Sequence, residues 1–194
     1  MRALTKNMSI RTKRTPIHWN YFLTIEEDVA ELARWIEFHQ SNFQCFSIQL
    51  ARILMVASAE ADVMAKKLAS DIDQENKVDS INGYREVIMS AYPDFHTYTV
   101  EVPRYRLSFS PWSNWELPNN PPRWWTANNK VKHHRSNCFD RASLENALNS
   151  VAGLFVLIAT YYQRKTSSVT PAPSLFEPSK FAYLDGDWLV FKHG

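Results

Sequence analysis

Residues 140–162, DRASLENALNSVAGLFVLIATYY, constrain the fold most. Leu144, Leu148, Val151, Phe155, Ile158 and Tyr162 recur at spacings of three and four, the period of one helix face. The apolar run 151–162 is shorter than the ~20 residues a membrane span needs. It therefore predicts a core helix, with no membrane partner, and Asp140 is its expected N-cap. A helix this apolar requires other helices around it. Residues 47–72 are the obvious neighbour: Leu50, Leu54, Ala57, Ala61, Met64, Leu68 and Ile72 form one stripe, and Val56 and Val63 lie near the opposite face. Apolar on two sides, this second long helix is expected deep in a bundle.

Shorter segments complete the helical set. Thr24 followed by Glu27 reads as a capping box opening a helix to about residue 39, with Ile25, Val29, Leu32, Ala33 and Ile36 as its stripe. Residues 80–91 predict a helix that ends before Pro93, and residues 123–134 a short basic one. The period changes over 96–110, HTYTVEVPRYRLSFS, which alternates like one or two short strands with Pro103 between them or at an edge. Phe181–Phe191, FAYLDGDWLVF, carries Asp185–Gly186 between two β-prone runs, the signal of a terminal hairpin. The expected fold is an all-α, four- to five-helix up-down bundle with small β-hairpin additions at about 96–110 and 181–191. Residues 1–16 would be a flexible basic tail, 17–165 the bundle with an aromatic and basic loop inserted at 93–122, and 166–194 an irregular connector plus the hairpin packed on the bundle.

Charge and cysteine usage narrow the function. The chain of 194 residues has net charge +2, but Arg2, Lys6, Arg11, Lys13 and Arg14 lie in a stretch with no acid. Residues 96–135 hold six more cations against Glu101 and Glu116, leaving the rest of the chain net negative. Segregated positive charge attracts phosphates, although a solvated tail and loop would look the same. Cys45 and Cys138 make no disulfide framework and have no zinc spacing, so a reducing cytoplasm is expected, with no metal and no cofactor. No Gly-rich phosphate loop is present.

The candidate chemistry lies in WWTANNKVKHHR, residues 124–135. On a continuous helix Asn129, Lys132 and His133 share a face. His133 can serve as acid or base near neutral pH, while Lys132, Arg135 and Arg123 can hold a phosphate and the charge that builds on it. In RNA cleavage the ribose 2′-hydroxyl is the nucleophile, so neither a protein nucleophile nor a metal is needed. Asp62 falls on the flank of the second helix's stripe, where partial burial would require a partner such as Lys66. The alternative is a basic, solvated helix end. Tyr105, Phe109, Trp112, Trp115, Trp124 and Trp125, interleaved with Arg104, Arg106 and Arg123, can be read as a clamp for single-stranded nucleic acid or simply as cover for the bundle.

Three stretches carry a family resemblance: FSIQLARILMVASAEADVMAKKL at 46–68, WWTANNKVKHHR, and FDRASLENALNSVAGLFVL at 139–157. Together they resemble the HEPN superfamily, in particular members with an Asn-x-Val-Lys-His-x-Arg stretch before the last long helix, here Asn129, Val131, Lys132, His133 and Arg135. The resemblance spans about residues 17–162. It implies a dimeric helical domain that binds RNA or a nucleotide, with metal-independent endoribonuclease activity of toxin–antitoxin or phage-defence type, and an antitoxin among its partners. Catalysis would fall to His133, Arg135 and Asp62, with Asp62 setting the His133 tautomer or pairing with Arg135. Ligand or phosphate binding would fall to Lys132, Asn129 and Arg123. The family's Arg-x4–6-His signature is not at the expected place, since here His133 precedes Arg135. Arg34 and His39 match the spacing far from the last helix. The departure keeps a second reading open, a non-catalytic HEPN-like dimerisation or interaction module.

Overall fold

The computed structural model describes residues 15–75 and 77–192. Six α-helices, α1 Ile17–Leu32, α2 Ile48–Ile72, α3 Ile81–Ala91, α4 Arg123–His133, α5 Arg135–Cys138 and α6 Leu144–Gln163, form the body. The strands are β1 Val100–Val102, β2 Leu107–Phe109, β3 Ser168–Val169, β4 Glu177–Pro178, β5 Ala182–Asp185 and β6 Trp188–Phe191. They make two three-stranded antiparallel sheets, ordered β2-β1-β4 and β3-β6-β5. The architecture is therefore mixed, and the expectation of an all-α four- to five-helix up-down bundle does not hold. The difference comes from the connector at 166–180, expected to be irregular. It supplies β3 to the terminal hairpin and β4 to the edge of β1, turning two hairpins into two sheets.

The centre is the α2–α6 pair, which forms the most extensive helix–helix contact. Leu54 and Phe155 are both fully buried. Helix α6 is long and apolar enough to cross a membrane by length and composition, yet 78% of its apolar window is buried inside the protein. Its cap is Ser143, whose hydroxyl accepts from the Asn146 N–H, while Asp140 lies one turn earlier in a 3-10 turn. Helix α2 is buried on one face only. Val56 and Val63 remain 39% and 42% exposed, so it flanks the core rather than filling it. Helix α1 starts at Ile17, seven residues before the expected capping box begins, and ends at Leu32. Thr24 sits inside it and donates its hydroxyl back to the Asn20 carbonyl at 3.1 Å, a mid-helix alternative to capping.

Two contacts fix the excursion at 93–122 and, through it, α4. Trp112 donates from Nε1 to the Gly153 carbonyl (3.1 Å), and Trp124 donates to the Pro111 carbonyl (2.9 Å). Gly153 is required by this closeness, because a Cβ there would lie 2.8 Å from Trp124 Cζ2. Trp112, Trp115, Trp124 and Phe95 form one buried aromatic cluster. These rings are core, and they do not clamp a ligand. The second anchor is Glu26, only 2% exposed, whose carboxylate accepts from the N–H groups of Ser174, Leu175 and Phe176 at 2.8–3.0 Å and from the Ser174 hydroxyl. It satisfies the backbone of the connector just before β4. The basic tail expected over 1–16 falls, in its cationic part, outside the described residues.

Candidate nucleic-acid interface

Helix α4 has three aspects, set by its 3.6-residue period. Trp124, Ala127 and Val131 are buried against the core. Trp125, Asn128, Asn129 and Lys132 line one cleft, of about 430 Å³, between α4, α2 and the start of α3. Arg123, Thr126 and Lys130 line another, of about 680 Å³, whose far wall holds Ser143, Glu145 and Asn146 at the start of α6. His133 falls on the crest between the two and is exposed. Arg123, Asn129, Lys130 and Lys132 are exposed as well. The last turn carries Lys130, Lys132 and His133, which also suits the negative end of the helix dipole.

The sequence-derived site residues do not converge on one point. The helix stops at His133, and His134, with φ −134° and ψ 39°, turns the chain. Arg135 is thereby carried to α2, where its guanidinium donates to Met55 Sδ at 3.4 Å, in an apolar hollow with Ile48, Ala51 and Phe139. Asp62, Asn129 and Lys132 share the α2–α4 cleft, which His133 and Arg135 do not line. Arg123 belongs to the opposite cleft. The chain turns at His134, and the expected grouping of His133, Arg135 and Asp62 fails there.

Asp62 is exposed rather than partly buried, and no ion pair joins it to Lys66. Its partner is Tyr84 of α3, a buried phenol that hydrogen-bonds to the carboxylate. Burial, then the Asp62 charge and hydrogen bond, then Asp79, push the Tyr84 hydroxyl up to about 12. The phenol therefore remains a donor at neutral pH and pins Asp62 at the cleft wall. Tyr84 was not legible as a site residue, since nothing in sequence links it to a position 22 residues earlier. Ser58 was missed for the same reason. It lines the cleft, is 2% exposed, and its Oγ has no hydrogen-bond partner among the described residues.

Among the described residues, none of Arg123, Lys130, Lys132 and Arg135 forms an ion pair, and residues 123–135 contain no acid. Nor are three His, Cys, Asp or Glu side chains grouped there as metal ligands would be. No family model matches this chain, and neither a curated protein nor a solved structure is detectably similar to it.

Proposed function

We propose that this chain binds single-stranded RNA or a nucleotide along the exposed side of α4, in keeping with its HEPN-like stretch. The observation that carries the reading is the set of cations Arg123, Lys130, Lys132 and Arg135, on α4 and at the start of α5, which have no acid between them in sequence and form no ion pair among the described residues. Unpaired exposed cations are free to exchange counterions for phosphates. The flanking clefts contribute amide groups from Asn128, Asn129, Asn120 and Asn146, which can recognise base edges. Binding is favoured over cleavage, because Asp62 faces Tyr84 in a cleft that His133 does not line. The deciding assay incubates mixed single-stranded RNA with wild type, His133→Ala and Lys130→Glu/Lys132→Glu, with and without EDTA, and scores both retention and cleavage. Retention of intact RNA by wild type and its loss in the double variant is the expected result. EDTA-resistant cleavage abolished by His133→Ala would restore the ribonuclease reading. No retention and no cleavage would remove both. Free thiols at Cys45 and Cys138 fit a reducing compartment, the cytoplasm in our reading.

A second reading, the homodimerising interaction module, draws on one observation. Phe46 and Ile48 are 50% and 74% exposed beside the apolar hollow at Arg135, and Val56 and Val63 continue an outer apolar stripe along α2. A second copy, or an antitoxin, would cover it. Light scattering at tens of micromolar decides: a dimer lost on Ile48→Glu supports the module, and a monomer rejects a self-association role.

A further inference from the structure

The α2–α4 cleft is chemically unlike the basic crest beside it. Its wall holds two carboxylates, Asp62 and Asp79, against one ammonium, Lys132. A bare phosphate has little reason to enter. The cleft also has an aromatic side, the half-buried Trp125, held edge-on against Trp124 at 5.6 Å, and Ser58 lines it with a hydroxyl that has no partner among the described residues. An unpartnered buried hydroxyl is costly and rare, and this one belongs to a residue of the cleft wall.

We propose that this cleft is a base pocket for guanine, holding the two adjacent N–H donors of the guanine edge on the Asp62 carboxylate and the ring on Trp125. The inference rests on the reading of α4 as an RNA or nucleotide surface and names the base which that surface prefers. An ionised carboxylate only accepts hydrogen bonds, and its two oxygens match two parallel N–H groups. Guanine alone among the four bases presents such a pair, at N1 and N2. Adenine would set its N1 lone pair against the carboxylate, uracil offers one N–H between two carbonyls, and cytosine one amino group beside an acceptor. Asn128, Asn129 and Lys132 then supply donors for the carbonyl and ring nitrogen on the far side of guanine. Tyr84 hydrogen-bonds to Asp62 and so orients the carboxylate. The volume of about 430 Å³ admits a purine with room for its sugar.

The test uses the full chain and fluorescence anisotropy with the labelled RNAs UUGUU, UUAUU and UUIUU, where inosine lacks only the N2 amino group. UUGUU is expected to bind about tenfold tighter than UUAUU, with inosine losing most of that preference. Asp62→Asn, at an exposed position, should weaken UUGUU down to the level of UUAUU and leave UUAUU unchanged, with an unaltered circular dichroism spectrum. Trp125→Leu should weaken UUGUU in the same direction. Competition with GMP against AMP separates the two sources of the base: displacement by GMP alone means the free nucleotide suffices, and no displacement places the guanine within a strand. Equal affinity for UUGUU and UUAUU, or a guanine preference that survives Asp62→Asn, overturns the pocket while leaving RNA binding by α4 intact. If no RNA binds, the α4 reading fails, and the pocket is then decided by calorimetry with GMP and AMP: heat with GMP alone upholds it, and equal or absent heats overturn it.

Discussion

Two cationic regions of this molecule have opposite fates. At the end of α6, Arg164 donates from Nε to Asp71 Oδ2 at 2.7 Å and Lys165 donates to Oδ1 at 2.6 Å, so one carboxylate of α2 occupies both cations. Arg164 reaches Tyr92 as well, and Lys165 lies 4.8 Å from the Tyr161 ring centroid. Among the described residues, the cations along α4 form no ion pair. Positive charge that closes a helix junction is consumed internally, while positive charge left unpaired on a rigid helix is available to a ligand. The same residue types thus serve structure at one place and recognition at the other, and pairing is what separates them.

Removing the platform under α4 should have the largest effect. Trp124→Ala empties a fully buried site between α4 and α6, and it is expected to cost ~3–5 kcal/mol in chemical denaturation. Trp125→Ala, half-buried at the cleft, should cost far less. Near-equal losses would mean that α4 is not anchored through Trp124. Charge reversal of the α4 face comes next. Lys130→Glu/Lys132→Glu should lower RNA affinity more than tenfold and leave the denaturation midpoint nearly unchanged, since neither side chain is ion-paired.

The Asp71 clamp should behave in the reverse sense. Asp71→Asn is expected to lower stability by about 1 kcal/mol, a modest figure for a carboxylate still reached by solvent, with RNA affinity unaffected. A loss of affinity in this variant would show that the two regions are coupled. The smallest effect concerns pH. The hydrogen bonds from Lys165 and Arg164 hold the Asp71 carboxyl below its ordinary 3.8. Its contribution is therefore present above pH 3.8 and lost as pH falls through the depressed value. Tyr84 has the opposite sign. Its pKa is raised from 10.0 to about 12, so its contribution is complete below pH 10 and disappears as pH rises through about 12. Burial also raises Tyr98 and Tyr162, so ultraviolet titration should show late-ionising tyrosines, and Tyr84→Phe should remove one tyrosine from that late step.

The helices were legible because periodicity reports burial directly. The stripes of α2 and α6 follow from residue spacing alone, whereas the caps expected at Thr24 and Asp140 did not hold. The Gly186 turn, at φ +55°, was legible as well. The second sheet edge was not legible, since β4 is two residues of a proline-rich connector whose place is set by Glu26, 148 residues before Ser174. Val56 and Val63 read as core because apolarity in sequence does not say which of two faces finds a neighbour. In the site, the four cations and the Asn pair were visible as composition. The place of Arg135 was not, because the turn at His134 that carries it to α2 is set by tertiary packing. Tyr84 and Ser58 enter the cleft only through tertiary packing.

Salt dependence of RNA binding tests the central claim most directly, that unpaired cations on α4 meet phosphates. Wild-type affinity for a single-stranded RNA should fall linearly on logarithmic axes as salt rises. The Lys130→Gln/Lys132→Gln variant should show a slope shallower by roughly 0.7 for each phosphate contact removed. A slope that does not change in the variant, or binding indifferent to salt, would contradict the account.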